Sequence, residues 1–394
     1  MLTRREAIKQ LALLAAGSPL LAQRRETTFP HTYSKEVMGP VNLHEFEALA
    51  RQKLNKLAYD FIAGGEQDEL SLRANREAIE HVWLRPRMMV DVSTIDPSVE
   101  LLGKKLDYPI LLAPTGGKNL VIPEGDRTAA MGAAATKTLY VVGAAGGWME
   151  KLSDQGKAPL WWSNTIGHST KGAAQGYARR TEDSGAAGIC VTVDNPYQSN
   201  RDRNNRNRFD YGYMQTGVPA DRAGYKPVAP AVAAMLQPHT PNMTWSYIDW
   251  LHGASNLPVI LKGILTAEDA RLAVQRGAQA IVVSNHGARQ LDGVVPTIVA
   301  LPEVVAAVEG KIPVLMDGGI RRGSDILKAL ALGAKAILIG RPYLWGLAAF
   351  GQVGVQRVVE LLQAELTVEM GEAGKPNLAS IDRSLVWGKG PQVW

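Results

Sequence analysis

From about residue 105 the chain repeats one hydropathic rhythm: a short apolar run, a polar or glycine-rich turn, then a helix-patterned stretch. The apolar runs are YPILLAP (108–114), LYVVGA (139–144), LWWSN (160–164), AGICVTVD (187–194), LPVILKG (257–263), AQAIVVSN (278–285), IPVLMDGG (312–319) and AKAILIGR (334–341). Their apolar character is continuous rather than alternating, as expected of parallel strands covered on both faces. Between them lie helix patterns with their own punctuation. TAEDARLAVQRG has Thr266 as N-cap and Gly277 as stop, and RGSDILKALALG has Ser324 opening and Gly333 closing. Eight strand–helix units predict a (β/α)8 TIM barrel; the rival, a doubly wound sheet, rarely has eight units with polar residues gathered after the strands.

Two segments depart from the rhythm. Residues 42–80 read as a helical lead-in, and residues 195–245, rich in Arg, Asn and Pro, as a long lid loop after the fourth strand. Residues 1–22 differ again. The pair Arg4–Arg5 precedes the short apolar run LALLAAGSPLLA, too short to cross a bilayer and placed where a secretory signal would be. The arginine pair predicts a twin-arginine signal and a periplasmic location, because that route carries proteins folded around a cofactor. An amphipathic N-terminal helix on a cytoplasmic protein is the alternative.

Composition narrows the choices. With 394 residues, 46% of them hydrophobic, the chain can bury a large core. A formal charge of +5 from 43 basic and 38 acidic residues suits an anionic ligand but is no nucleic-acid signature. RDRNNRNR (201–208) offers only a few arginines in a loop and is read as a solvated lid. The single cysteine, Cys190, excludes an internal disulfide, and the seven histidines show no zinc-ligand spacing.

Barrel enzymes build their sites at the carboxyl ends of the strands. The polar residues that end these runs are Asp194, Lys262, Ser284, His286, Arg289, Asp317 and Arg341. DGGIRRG and IGRP, after the seventh and eighth strands, add glycine turns followed by arginine where such barrels bind phosphate.

The stretches SNHGARQLDG, LPVILKGILTAEDARLAVQRGAQAIVVSNHG, IPVLMDGGIRRGSDILKALALGAKAILIGRP and LRPRMMVDVSTID closely resemble the FMN-dependent 2-hydroxy-acid oxidase and dehydrogenase family, over residues 42–385. The resemblance implies FMN as cofactor and oxidation of an α-carbon hydroxyl to a ketone, with O2, a quinone or a cytochrome as final electron acceptor. By the same resemblance His286 is the base, Arg289 the carboxylate clamp, Asp194 the carboxylate that orients the histidine, and Arg201 a second arginine near the substrate. It places Lys262 beside the flavin, Thr192 and Ser284 against it, and Ala113, Pro114, Thr115 and Gly116 under the ring. Asp317, Gly319, Arg321, Gly340 and Arg341 fall to the ribityl and phosphate site. A tetramer is implied, and no metal.

Some positions depart from the family pattern. Phe61 stands where the family has a substrate-binding tyrosine, Thr165 is matched to a second active-site tyrosine, Ser163 to a flavin-contacting glutamine, and Gly143 and Ala144 to polar residues at the ring. The substrate is accordingly a 2-hydroxy acid or a larger α-hydroxy carbonyl compound. A flavin-binding protein with lost or altered turnover is the alternative.

Overall fold

The computed structural model of the chain describes residues 32–143, 155–218 and 238–387, with Met149 and Ser153. The leader, Ala144 and the middle of the lid loop lie outside these residues. The described residues fall into two units divided after Gly39. The first holds one helical turn, α1 (Lys35–Met38), capped by the Ser34 hydroxyl.

The second unit begins with the lead-in helices α2 (Leu43–Lys53), α3 (Lys56–Ala63) and α4 (Leu70–Glu80). Asn42 and Asn55 cap the first two by accepting the N–H groups of Glu45 and Ala58. A hairpin of β1 (Val99–Leu101) and β2 (Lys104–Leu106) follows. Its two-residue turn has positive φ at both Leu102 (49°) and Gly103 (73°), matching the twist of the flanking strands.

Eight parallel strands then close into a barrel in chain order: β3 (Ile110–Leu112), β4 (Leu139–Val142), β5 (Trp161–Thr165), β6 (Ile189–Thr192), β7 (Val259–Ile264), β8 (Ala280–Val283), β9 (Val314–Met316) and β10 (Ala336–Ile339), with β10 beside β3. Every apolar run named from the sequence coincides with one of them to within a residue at the carboxyl end, and the TIM barrel is the fold found. Alternate residues point inward, so Leu111, Leu139, Val141, Trp162, Cys190, Ile260, Val282, Leu315 and Leu338 fill the interior. The other face of each strand packs on the surrounding helices.

Helix punctuation holds at Thr266, whose hydroxyl accepts from the Asp269 N–H at the start of α10 (Ala267–Gln275). It fails at Ser324. The helix already begins at Gly323, whose N–H donates to Glu365 Oε2 at 2.8 Å, while Asp325 reaches back to accept from Arg321 N at 2.8 Å and Arg322 N at 3.0 Å just ahead of the helix. The lid loop has structure of its own, with the short helices α7 (Asp202–Asn207) and α8 (Tyr213–Thr216), and is followed by α9 (Ser246–His252). Its arginines are engaged within the chain: Arg203 pairs with Glu69 at 2.6 Å, Arg206 with Asp202 at 2.9 Å, and Arg201 is buried. No described helix is long and apolar enough to cross a membrane.

Candidate active site

The barrel mouth opens into a cavity of about 450 Å³ lined from every part of the chain that ends there. Its chemistry is clearest at the end of β8. His286, Gly287 and Ala288 all have positive φ (59°, 63° and 59°), a conformation that costs a side-chain-bearing residue about 1–2 kcal/mol. The surroundings hold it there. The His286 N–H donates to Ser284 Oγ at 3.0 Å, and its Nδ1 lies 3.0 Å from Asp194 Oδ1. Asn285 and Asn75 exchange two buried amide bonds of 2.9 Å, and Asp292 accepts the Leu70 and Ser71 N–H groups that open α4. Much of the polarity in SNHGARQLDG thus fastens one loop to the lead-in helices and leaves His286 and Arg289 facing the cavity.

Asp194 reaches His286 because β7 bulges between Lys262 and Ile264. Gly263 sits there with φ of 120°, and a Cβ on it would lie 2.8 Å from the Asp194 side chain. Burial alone would raise the Asp194 pKa, but the His286 and Lys262 charges outweigh it and hold the carboxyl below its ordinary value. Burial lowers the His286 pKa below 6.5, against the opposing pull of Asp194. The pair is therefore a neutral imidazole oriented by an ionised carboxylate, which favours the tautomer with the proton on Nδ1 and the Nε2 lone pair free.

Lys262 is almost fully buried, donating to Ser284 Oγ at 2.9 Å and lying 3.3 Å from Asp317 Oδ2. Burial presses its pKa down, but Asp317 and Asp194 more than compensate, and the ammonium stays charged. Ser284 itself is enclosed and does not line the cavity; its hydroxyl accepts from the Lys262 ammonium and from the backbone N–H of His286.

Four arginines crowd the same cavity: Arg201, Arg289, Arg321 and Arg341. Arg341 donates to Ile62 O, Gly287 O and Gly64 O at 2.8–2.9 Å. Arg289 Nη1 donates to Phe61 O at 2.6 Å and Ile62 O at 3.0 Å. Both guanidinium groups stand over the Phe61 ring, Arg289 at 5.0 Å and Arg201 at 5.5 Å. Burial first and then mutual repulsion push Arg289 well below the ordinary guanidinium value and Arg341 down to about 9. Guanidinium groups keep their protons at neutral pH, so this strain marks a site that an anion relieves. Asp317 on the wall and Asp194 behind His286 each keep one buried oxygen without a hydrogen-bond partner, and Nε of Arg201 is likewise without one.

FMN fits this donor set. Arg321 and Arg341, the turns at Gly318–Gly319 (φ 94° and 82°) and Gly340, and the N-terminus of α13 (Arg341–Glu372) offer a phosphate site. The unpartnered oxygen of Asp317 is an acceptor for a polyol, and Lys262 a cation for the electron-rich edge of a flavin. Ala113, Pro114, Thr115 and Gly116 form one wall, and Thr192 another.

Strand phase corrects two assignments. Along β5, Trp162 points into the barrel, so Asn164 points inward too and Ser163 and Thr165 point away. Ser163 Oγ accepts from Tyr177 OH on the outer helix α6 (Lys171–Asp183) at 2.8 Å, and Thr165 Oγ1 accepts from the Gly167 N–H. The cavity is lined instead by Asn164 and Ile166. Shifted by that one residue, Asn164 supplies the amide, accepting from Thr192 Oγ1 at 2.8 Å, and Ile166 takes the place matched to a tyrosine. Phe61 and Gly143 line the cavity as expected. Asn195, Gln198, Tyr211, Met214, His239 and Gln290 also line it and carried no signal in the sequence.

A (β/α)8 barrel whose mouth joins four arginines, two glycine turns, a buried lysine and a histidine–aspartate pair has the layout of a flavin-dependent oxidoreductase. Residues 50–388 match the FMN-dependent dehydrogenase family, and the chain belongs to that family. It is 42% identical to the L-lactate oxidase of a Nostoc species over 360 residues, covering 89% of this chain and 99% of that one. It is 39% identical to spinach (Spinacia oleracea) glycolate oxidase, covering 88% and 95%. The crystal structure of mandelate oxidase superimposes with a TM-score of 0.79 at 38% identity, covering 90% and 100%.

Proposed function

We propose that this enzyme oxidises the α-carbon hydroxyl of a 2-hydroxy acid to a ketone. The observation that carries the reading is the sharing of one cavity by His286, backed by Asp194, and the arginines Arg289 and Arg201. The guanidinium groups hold the substrate carboxylate, an arrangement suited to their planar, multiply donating geometry. That fixes the carbinol carbon near the free Nε2 of His286. The reaction removes two electrons and two protons from the substrate; His286 takes one proton, from oxygen or from carbon, and Asp194 stabilises the imidazolium that results. Bound FMN supplies the acceptor for the two electrons.

Anaerobic mixing of the yellow holoenzyme with glycolate, lactate and mandelate tests this directly. Bleaching of the flavin by at least one is the expected result; no bleaching across the panel refutes the substrate assignment. The oxidase names of the relatives support O2 as acceptor, giving hydrogen peroxide on reoxidation. Resemblance to the family supports a homotetramer, to be measured by solution mass. Arg4–Arg5 and the apolar run that follows support twin-arginine export to the periplasm. Replacing both arginines by lysine is expected to retain the protein in the cytoplasmic fraction, and undiminished export would overturn that reading.

A further inference from the structure

We propose that Tyr211, on the lid, supplies the phenolic donor to the substrate carboxylate that the family resemblance assigns to position 61 and that Phe61 lacks. The inference rests on the 2-hydroxy-acid reading and deepens it.

Phe61 is buried, with its ring stacked on Phe209 (centroids 4.9 Å apart) and with the guanidinium groups of Arg289 and Arg201 within 5.5 Å of its centroid. It therefore keeps the scaffolding part of a tyrosine at this position, holding two arginines by their charge over its face, and lacks only the hydroxyl. Tyr211 packs edge-on against that same ring at 6.3 Å and against Phe209 at 5.5 Å. It lines the cavity together with Phe61, Arg201 and Arg289, and both arginines sense its phenol electrostatically.

The phenol's bonding is what makes it a donor. With the Asn204 amide as placed, Tyr211 Oη accepts from Asn204 Nδ2 at 3.3 Å. The oxygen thereby accepts, and its proton has no acceptor among the hydrogen bonds of the described residues. Asn204 is itself 3% exposed, so the group that aims the phenol is fixed. Among the cavity's cations the acceptor that such a proton meets is an anion, and a carboxylate held by Arg201 and Arg289 is within the same cluster. Ile166, the other position matched to a tyrosine once strand phase is corrected, offers no hydrogen bond, which leaves Tyr211 as the only phenol lining the cavity among the described residues.

The test uses holoenzyme and three variants: Tyr211→Phe, Phe61→Tyr and the double substitution. Binding of oxalate, a non-reacting dicarboxylate, is followed by its perturbation of the flavin absorbance, and turnover is measured in parallel with whichever 2-hydroxy acid bleaches the enzyme. Tyr211→Phe is expected to weaken oxalate about tenfold and to raise KM similarly, with kcat changed less than threefold and FMN content unchanged. Phe61→Tyr in the Tyr211→Phe background is expected to recover most of the loss. Unchanged oxalate affinity in Tyr211→Phe overturns the proposal, as does equal loss in the single and double variants. Wild-type enzyme that binds oxalate through Tyr211 but is bleached by no 2-hydroxy acid would leave the role of Tyr211 standing and remove the proposed substrate.

Discussion

Replacing Asp194 by asparagine keeps the shape of the His286 partner and deletes its charge. Two effects with different readouts follow. At the plateau, the imidazolium formed in the reaction loses a carboxylate 3.0 Å from its Nδ1. Unit charges about 4 Å apart interact by about 4 kcal/mol at an effective dielectric constant near 20. The two side chains are 15% and 22% exposed, so screening removes part of this. About 2–3 kcal/mol remains, or roughly a 30- to 150-fold fall in kcat/KM. On the pH axis, burial already lowers the His286 pKa and Asp194 opposes that shift. Without the opposing charge the pKa falls further, so the acid limb of kcat/KM, set by protonation of the base, moves to lower pH. Steady-state kinetics from pH 5 to 9, with FMN content checked for each preparation, measures both. A limb that moves to higher pH, or a plateau within about fivefold of wild type, would refute the pairing as the source of the effect.

Arg341→Met removes the guanidinium that ties Ile62, Gly64 and Gly287 together at the phosphate end. FMN is expected to be released about 10- to 100-fold more readily, read from free-flavin fluorescence during dialysis, and retention equal to wild type would displace the phosphate site. Glu369, in the last turns of α13, has a buried Oε2 without a partner, and burial together with Glu365, Asp325 and Glu372 pushes its pKa up to about 8. The folded state thus binds a proton that the unfolded chain, near 4.5, has lost, so stability falls as pH rises from about 4.5 to about 8. Glu369→Gln is expected to match wild type at pH 5 and to melt about 2 °C higher at pH 9, a solvent-discounted effect of about 1 kcal/mol. Identical melting-temperature profiles would show that Glu369 does not carry the charge strain.

The barrel was legible because its evidence is redundant. Eight runs such as AQAIVV each bury both faces, so hydropathy alone marks them, and errors of a residue at either end leave the count unchanged. Lys262, His286, Arg289 and Arg341 were legible for a related reason: each lies near or just past the carboxyl end of its strand, and that end of every strand opens on the same mouth. Ser324 misled because a serine in a helix-starting position is a good cap in general, whereas here the helix starts one residue earlier, with the Gly323 N–H taken by Glu365 and the N–H groups just ahead of it by Asp325. Of the lid residues only Arg201 was legible, and that through the family resemblance. Tyr211 and His239 reach the cavity by the path of an irregular segment, and nothing in the local pattern of such a segment fixes where its side chains point.

The slip at Ser163 and Thr165 has a different origin and a larger chemical consequence. Both faces of β5 are covered, so its run LWWSNT has no alternation from which to read phase. In a strand of period two, misplacing the correspondence by one residue exchanges the inward set for the outward set completely. Trp162 is what settles it, because its ring lies in the barrel interior with Leu139, Val141 and Cys190, and every second residue from it must share that side. The corrected phase alters the chemistry expected of the site. An amide, Asn164, faces the cavity in place of a hydroxyl, and a hydrocarbon, Ile166, in place of one that could have bonded the substrate. The site therefore keeps the amide of the family pattern and loses both phenols, at Phe61 and at Ile166. Arg289 and Arg201 remain over the Phe61 ring, and the tyrosine that the lid packs edge-on against that ring is the phenol that the proposed substrate would meet.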